Sequence, residues 1–345
     1  MKAFKEQFQA PSRQQWMEKA EKELKGKPLE ALSWHIDKDF NVPPIFFEEE
    51  IGPSFATHSS RSNWTIGDKY TIFHASQTNN DLLEALNMGL EGVHLELITP
   101  LSKTEWASLF DQIILSYITL IIDASTLSAE RLDGLAEYLA AADWTEEQLF
   151  IFTKDSTNCP STLEGCLCTK STFHISTVDS VQQLHHQLQR AESNLQTQIQ
   201  NGQTHTPHFF QITLSRHFYL NIVYAQALLI IWQNILDANG IDPHAPVFIQ
   251  GIIAEDAALD ENTQKINATV QAVSAIVAGI DYLQIETSQK SNNEAFDRRI
   301  NRNIQHLLKL ESFMDYVENP SAGAYYFDAL TKEFAEKVWD KFTDG

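Results

Sequence analysis

From Tyr70 onward the chain alternates between two patterns: short β-branched or aromatic runs bounded by turn residues, and longer segments with apolar positions three and four apart. The first pattern predicts strands at 70–76, 93–98, 120–125, 149–155, 172–177, 209–215, 247–253 and 281–288. The second predicts helices at 80–90, 104–116, 128–141, 178–200, 217–240 and 262–279, with two more at 294–314 and 329–342. The fourth strand is followed by a polar Ser, Thr, Asn, Cys and Pro stretch without a helix signal. This order predicts an α/β fold, a (β/α)8 TIM barrel with an N-terminal extended arm and C-terminal helices, and leaves a doubly wound open sheet as the competing arrangement. Residues 1–66 fall outside the repeat. They hold one helix, 12–24, and then proline-interrupted chain, so they read as the arm, with 67–345 as the barrel and its terminal helices.

Alternation along each strand separates two faces. Ile72, Val93, Leu95, Ile122, Phe210, Ile212, Ile249, Leu283 and Ile285 form an apolar set suited to the helices. Interleaved with them, at positions facing the axis, stand His94, Glu96, Asp123, Gln211, Gln250, Gln284 and Glu286, with Thr213, His74 and His174 placed similarly. Barrels ordinarily fill their centres with Val, Ile and Leu. A polar axis implies either entry of water and ligand or a set of groups that satisfy one another.

Charge narrows the partners. Lys+Arg of 25 against Asp+Glu of 46 gives a net charge of -21, which repels a phosphate backbone and an anionic membrane surface. No run approaches the roughly 20 apolar residues of a spanning helix. The start, MKAFKEQFQAPSRQQW, lacks an apolar signal core, so a cytoplasmic location is expected. Cys159, Cys166 and Cys168, followed by His174, give neither a disulfide framework nor the paired spacing of a structural zinc site.

The nucleotide-binding patterns G-x-x-x-x-G-K-S/T and G-x-G-x-x-G are absent, as is the nucleophile elbow G-x-S-x-G. His94 and Glu96, with His174 and Glu286 on other strands, would suit a metal-dependent barrel hydrolase, but such sites usually draw on more imidazoles.

Both ends of the chain resemble one family. Residues 8–34, with a Trp-containing helix running into Leu24-Lys25-Gly26, look like the N-terminal arm of acyl-CoA mutases. The segment 295–312 is similar to F-x-x-R-I-A-R-N-x-Q-x-x-L-x-x-E-S, matched at Phe296, Arg299, Ile300, Arg302, Asn303, Gln305, Leu308, Glu311 and Ser312. Residues 319–339 resemble D-P-x-G-G-S-Y-Y-x-E-x-L-T and the helix that follows it, with Tyr325 and Tyr326 at the tyrosine pair. These are marks of the adenosylcobalamin-dependent methylmalonyl-CoA mutase family, and the arm and length resemble its small (beta) subunit.

The resemblance implies a barrel, and it also exposes departures. Catalytic members carry a cobalamin-binding domain with D-x-H-x-x-G. Here the sole D-x-H is Asp242-Pro243-His244, followed by Val247 in place of Gly, so no cobalt ligand and no cobalamin-binding domain are expected. In the helix after the sixth strand, Tyr224, Gln226 and Leu229 replace three family cations that could pair carboxylates or face acyl-CoA phosphates. Where the family has S-Q-T-S-G-W, this chain has 253–259 with Glu255 and Asp256, acids unfavourable to an anionic substrate. The catalytic Tyr-His pair would fall at Phe173-His174, leaving His174 as a vestige.

The resemblance thus implies a catalytically inactive small subunit, a pseudoenzyme that binds no cofactor itself. It would stabilise a homologous large subunit, in a heterodimer whose adenosylcobalamin sits in that partner. Interface candidates are Trp16, Leu24, Lys25, Arg299, Arg302, Asn303, Tyr325 and Tyr326. Self-association of the isolated chain stays open, as does a self-standing acyl-CoA mutase barrel served by a separate cobalamin-binding chain.

Overall fold

The computed structural model describes residues 11–37, 40–47, 63–155, 158–175, 179–200, 208–287 and 293–343. The ends of two predicted strands, 176–177 and 288, lie outside these residues, as do 1–10 and 48–62 of the arm.

Helix α1 (Arg13–Glu23) starts at a capping box in which Ser12 and Gln15 satisfy each other's backbone N–H groups, and it buries no residue. A hairpin of β1 (Trp34–Asp37) and β2 (Phe40–Val42) follows. The repeat then runs β3 (Thr65–Ile72), α2 (Ala75–Asn87), β4 (Gly92–Leu97), α3 (Lys103–Leu109), β5 (Thr119–Ser128), α4 (Asp133–Leu139), β6 (Leu149–Asp155). Its second half is β7 (Thr169–His174), α5 (Ser180–Gln200), β8 (His208–Thr213), α6 (Phe218–Ala238), β9 (Val247–Ile253), α7 (Glu261–Val277), β10 (Tyr282–Ile285), α8 (Glu294–His306). A π-turn at Leu307–Glu311 and helix α9 (Tyr325–Thr343) complete the described chain.

Among the described residues, eight parallel strands are joined in the order β6-β5-β4-β3-β10-β9-β8-β7. The first strand of the repeat pairs with the last, with Thr65 opposite Tyr282 and Gly67 opposite Gln284. That pairing is the closure of a (β/α)8 barrel and sets aside the doubly wound sheet. The weak seam lies elsewhere, between β6 and β7, where the described residues give one bridge, Ile151 with Leu167, and a bond from Cys168 N to Ile151 O of 2.9 Å. This is where the sequence lacks a helix signal. A short 3-10 segment at Ser161–Cys166 stands in for the helix and buries Leu163 and Cys166.

Two outer cores lie between strands and helices. One joins β3–β6 to α2, α3 and α4 around Trp106, Leu95 and Leu109. The other joins β7–β10 to α5, α6 and α7, and α9 and the arm hairpin cover it, with the Phe40 and Phe334 rings 5.4 Å apart. Helix α6 is long and apolar enough by composition to cross a membrane, contrary to the expectation that no such run exists. It is instead largely buried, with α5, α7 and α9 packed on it.

Strand β3 begins five residues before its predicted start. Gly67, Asp68 and Lys69 interrupt the apolar pattern, yet each has a partner in the fold. Asp68 faces the helices and meets Arg298 at 2.7 Å, Lys69 faces the axis and meets Glu96 at 3.1 Å, and Gly67 lies under the Tyr282 ring.

Candidate functional site

The barrel axis has two levels. At the N-terminal ends of the strands, Ile121, Phe150, Phe152, Phe209, Phe248 and Tyr282 form an apolar cluster separate from both outer cores. Its rings are closely packed, with centroids 4.2 Å apart for Phe150–Phe248 and 4.6 Å for Phe152–Phe209. Tyr282 extends across β3 and β4 because Gly67 and Gly92 have no side chain, and a Cβ at either would overlap its ring. The Tyr282 hydroxyl, 3.3 Å from the Asp68 carbonyl, donates to it, and burial holds this phenol well above its ordinary pKa.

Above this floor lies the polar level. His94 Nδ1 is 3.1 Å from both Gln284 Oε1 and Gln250 Nε2. Gln250 Nε2 also donates to Gln284 Oε1 at 3.1 Å, and its own Oε1 accepts from Gln211 Nε2 at 3.0 Å. Across the axis, Lys170 Nζ donates to Asp123 Oδ2 at 2.6 Å and lies 5.0 Å from the Phe152 ring centroid. Nearer the mouth, Glu96 accepts from Thr71 Oγ1 at 2.7 Å and pairs with Lys69. Of the residues predicted to face the axis, His94, Glu96, Asp123, Gln211, Gln250 and Gln284 therefore meet in this level. Lys69, Thr71 and Lys170 complete it.

The electrostatics follow from these pairings. Burial pushes the pKa of His94 down to about 4, so it is neutral at pH 7 and a weak base. Its Nε2 has no hydrogen-bond partner and lies 4.0 Å from Asp123 Oδ2. Burial opposes ionisation of Asp123, but the Lys170 charge and hydrogen bonds from Lys170 and Ser125 outweigh it and hold the carboxyl below its usual range. For Glu96, partial burial likewise works against ionisation and is outweighed by Thr71 and Lys69. The acids are thus committed to internal cations. Among the described residues, no three His, Cys, Asp or Glu side chains converge as a metal set.

Other candidates fall outside this level. Glu286 is exposed beyond β10, its backbone N donating to Ile253 O. His174 is exposed at the end of β7, in register with Thr213. His74 precedes α2 at the N-cap and is exposed. Phe173 points away from the axis against Phe210, so it is no remnant of an axial phenol. Tyr224, Gln226 and Leu229 lie beneath neighbouring helices: Tyr224 donates to Gln187, while Gln226 bonds Ser321 at 2.8 Å and Thr331 at 3.2 Å. These covered positions do not bear on acyl-CoA phosphates, which corrects that part of the sequence argument. Asp256 is ion-paired with Arg216, so it adds less negative charge near the mouth than its position suggests.

Among the interface candidates, Trp16 is half-buried against Phe47, and Leu24 is half-buried at the end of α1. Lys25, Arg299, Asn303 and Tyr325 are exposed, and Tyr326 packs against Phe46. Arg302 differs. It is buried beside Asp68, with 3.6 Å between charged atoms, so it supports this chain's own β3–α8 packing and is withdrawn as a contact residue.

Residues 181–344, from the start of α5 through α9, match the family model described as methylmalonyl-CoA mutase. The chain is similar to the methylmalonyl-CoA mutases. A methylmalonyl-CoA mutase small subunit of Porphyromonas gingivalis is 24% identical, over 99% of this chain and 63% of its own length. A protein of the same description from Streptomyces virginiae is 26% identical over 39% of this chain and 23% of its own length. The chain therefore spans less than two thirds of either relative. A dipeptide epimerase from Methylococcus capsulatus is a distant structural match, with 11% identity and a TM-score of 0.38 over 69% of this chain and 58% of that one.

Proposed function

We propose that this chain is a non-catalytic small subunit of a heterodimeric, adenosylcobalamin-dependent methylmalonyl-CoA mutase in the cytoplasm. The complex would interconvert methylmalonyl-CoA and succinyl-CoA, with the large subunit holding both substrate and cofactor. The observation that carries this reading is the aromatic floor around Tyr282, which occupies the lower axis of the barrel, below a polar level whose acids are internally paired. A pantetheine arm threading the axis would have to displace those rings.

The place of His244, the histidine of the D-x-H pattern, supports the reading that this chain supplies no cobalt ligand. His244 is exposed in the turn before β9, at the opposite end of the strands from the mouth, and its backbone N–H donates to Asp242 Oδ1 at 2.9 Å. No step is therefore assigned to cobalamin on this chain. The names of the small-subunit relatives support a large partner, and the arm and the C-terminal tail are the contact regions proposed for it.

The test is co-expression with the large mutase subunit of the same organism, followed by size-exclusion chromatography with light scattering, cobalamin titration and mutase assay. A 1:1 complex with activity, and an isolated chain that neither changes the cobalamin spectrum nor turns over substrate, is the expected result. Turnover by the isolated chain with a separate cobalamin-binding protein would overturn it.

A further inference from the structure

The C-terminal tail presents an apolar surface at the N-terminal end of the barrel. Lys309, directed inward by the π-turn, donates to Trp64 O at 2.7 Å and pairs with Glu91 at 2.7 Å. Glu91 O in turn accepts from Thr119 N at 3.1 Å, so the tail is tied to the loops entering β3, β4 and β5. Around that anchor Leu310, Phe313, Tyr316 and Val317 are exposed, with Ile114 and Tyr117 exposed in the loop entering β5. Tyr316 is 75% exposed and Tyr117 78%.

This arrangement is not a loose end of chain. Phe313 is held at φ 52°, in the left-handed region that a bulky residue rarely adopts. Bonds from Ser312 N to Leu307 O at 2.9 Å and from Met314 N to Leu308 O at 3.1 Å fix the turn. Met314, half-buried, packs against the core while the Phe313 ring stays outside, 5.1 Å from Tyr316. A clustered aromatic surface held out by its own backbone is characteristic of an interaction site.

Charge identifies the occupant. Between Leu310 and Ser321 the chain carries Glu311, Asp315 and Glu318 and no lysine or arginine. A second copy would bring the same acidic rim, on a chain of net charge -21, and be repelled. We propose that this face docks a different protein, one presenting an apolar pocket rimmed by lysine or arginine. Resting on the small-subunit reading, the partner is the large mutase subunit, and the anchor of the complex is Leu310, Phe313 and Tyr316 more than helix α1.

The test measures binding of the purified large subunit from the same organism to full-length wild-type chain, to L310R/Y316R, to E311K/E318K and to F73R as an exposed aromatic control. Circular dichroism and melting establish that each variant is folded. Expected are binding weakened at least about 30-fold by L310R/Y316R, salt-sensitive binding weakened by E311K/E318K, and no change for F73R. Wild-type binding that survives L310R/Y316R undiminished would overturn this surface and leave the subunit reading intact. No binding by wild type would overturn both. A wild-type homodimer converted to monomer by L310R/Y316R would make a second copy the occupant and overturn the choice made here.

Discussion

The two halves of the barrel solve the same packing problem with different means. In β3–β6 helix α2 runs 13 residues, α3 and α4 only seven each, and the fourth is replaced by a 3-10 turn. In β7–β10, α5 and α6 each run 21 residues, and α9 and the arm hairpin add a further layer. The family match begins at residue 181 and covers this second half without β7. The matched segment takes in β8–β10 with their share of the axis, so what separates the halves is the covering of their outer faces, by short elements on one side and by a layered helical shell on the other.

The strongest way to break this comparison is to remove the seal of the second half. Phe334→Ala deletes a fully buried ring between Phe40 and Tyr224 and is expected to cost about 3–5 kcal/mol in urea unfolding. Hydrogen exchange should show protection lost first in β8–β10 and α6. Equal loss across β3–β5 would mean that the halves are one cooperative unit and the contrast has no energetic meaning.

Acid should act on the axis and the second half together. Burial lowers both His94 and His208 from 6.5 to about 4, so the unfolded chain binds protons more readily than the folded one in that interval. Stability is therefore full above pH 6.5, falls as the pH drops towards 4, and levels off below it as regards these two groups. Each contributes up to about 3 kcal/mol. A melting-temperature series against pH should show the slope, and His208→Gln should remove part of it. A flat profile between pH 6.5 and 4 would contradict the neutral, buried state of both.

The seam between the halves offers a smaller test. Lys170 on β7 reaches Asp123 on β5 past Phe152 on β6, so Lys170→Met strands a largely buried carboxylate. A loss of about 1–3 kcal/mol is expected, less than for a fully buried pair because Lys170 keeps some solvent contact. Asp123→Asn combined with Lys170→Met should recover part of it, and no recovery would show that the pair does not join the halves. Least is expected from Ser12→Ala. It should fray α1 by about 1 kcal/mol and leave global unfolding unchanged, because no residue of α1 is fully buried.

How much of this was legible in the sequence depends on whether the partner was local. Strand β9 coincides with its predicted limits, since Val247–Ile253 is a compact, largely β-branched run between turn signals. The start of β3 was hidden because Asp68 reads as a loop residue until Arg298, 230 positions away, is beside it. The polar level was visible from alternation, but the floor was not. In β6 both phases are apolar, Leu149 and Ile151 outward and Phe150 and Phe152 inward, so the period gave no reason to assign the phenylalanines to the axis. The covered state of Tyr224 and Gln226 was equally hidden, because it depends on neighbouring helices and on tail residues Ser321 and Thr331.

Gly67, Gly92 and Tyr282 have a consequence for substitution. No one of them can vary freely: a side chain at 67 or 92 demands a smaller residue at 282, and a smaller residue at 282 leaves a hollow under two glycines. The three positions are sterically one unit. Opening a passage along this axis would require loss of the tyrosine ring, and the two glycines would then border the space it had filled.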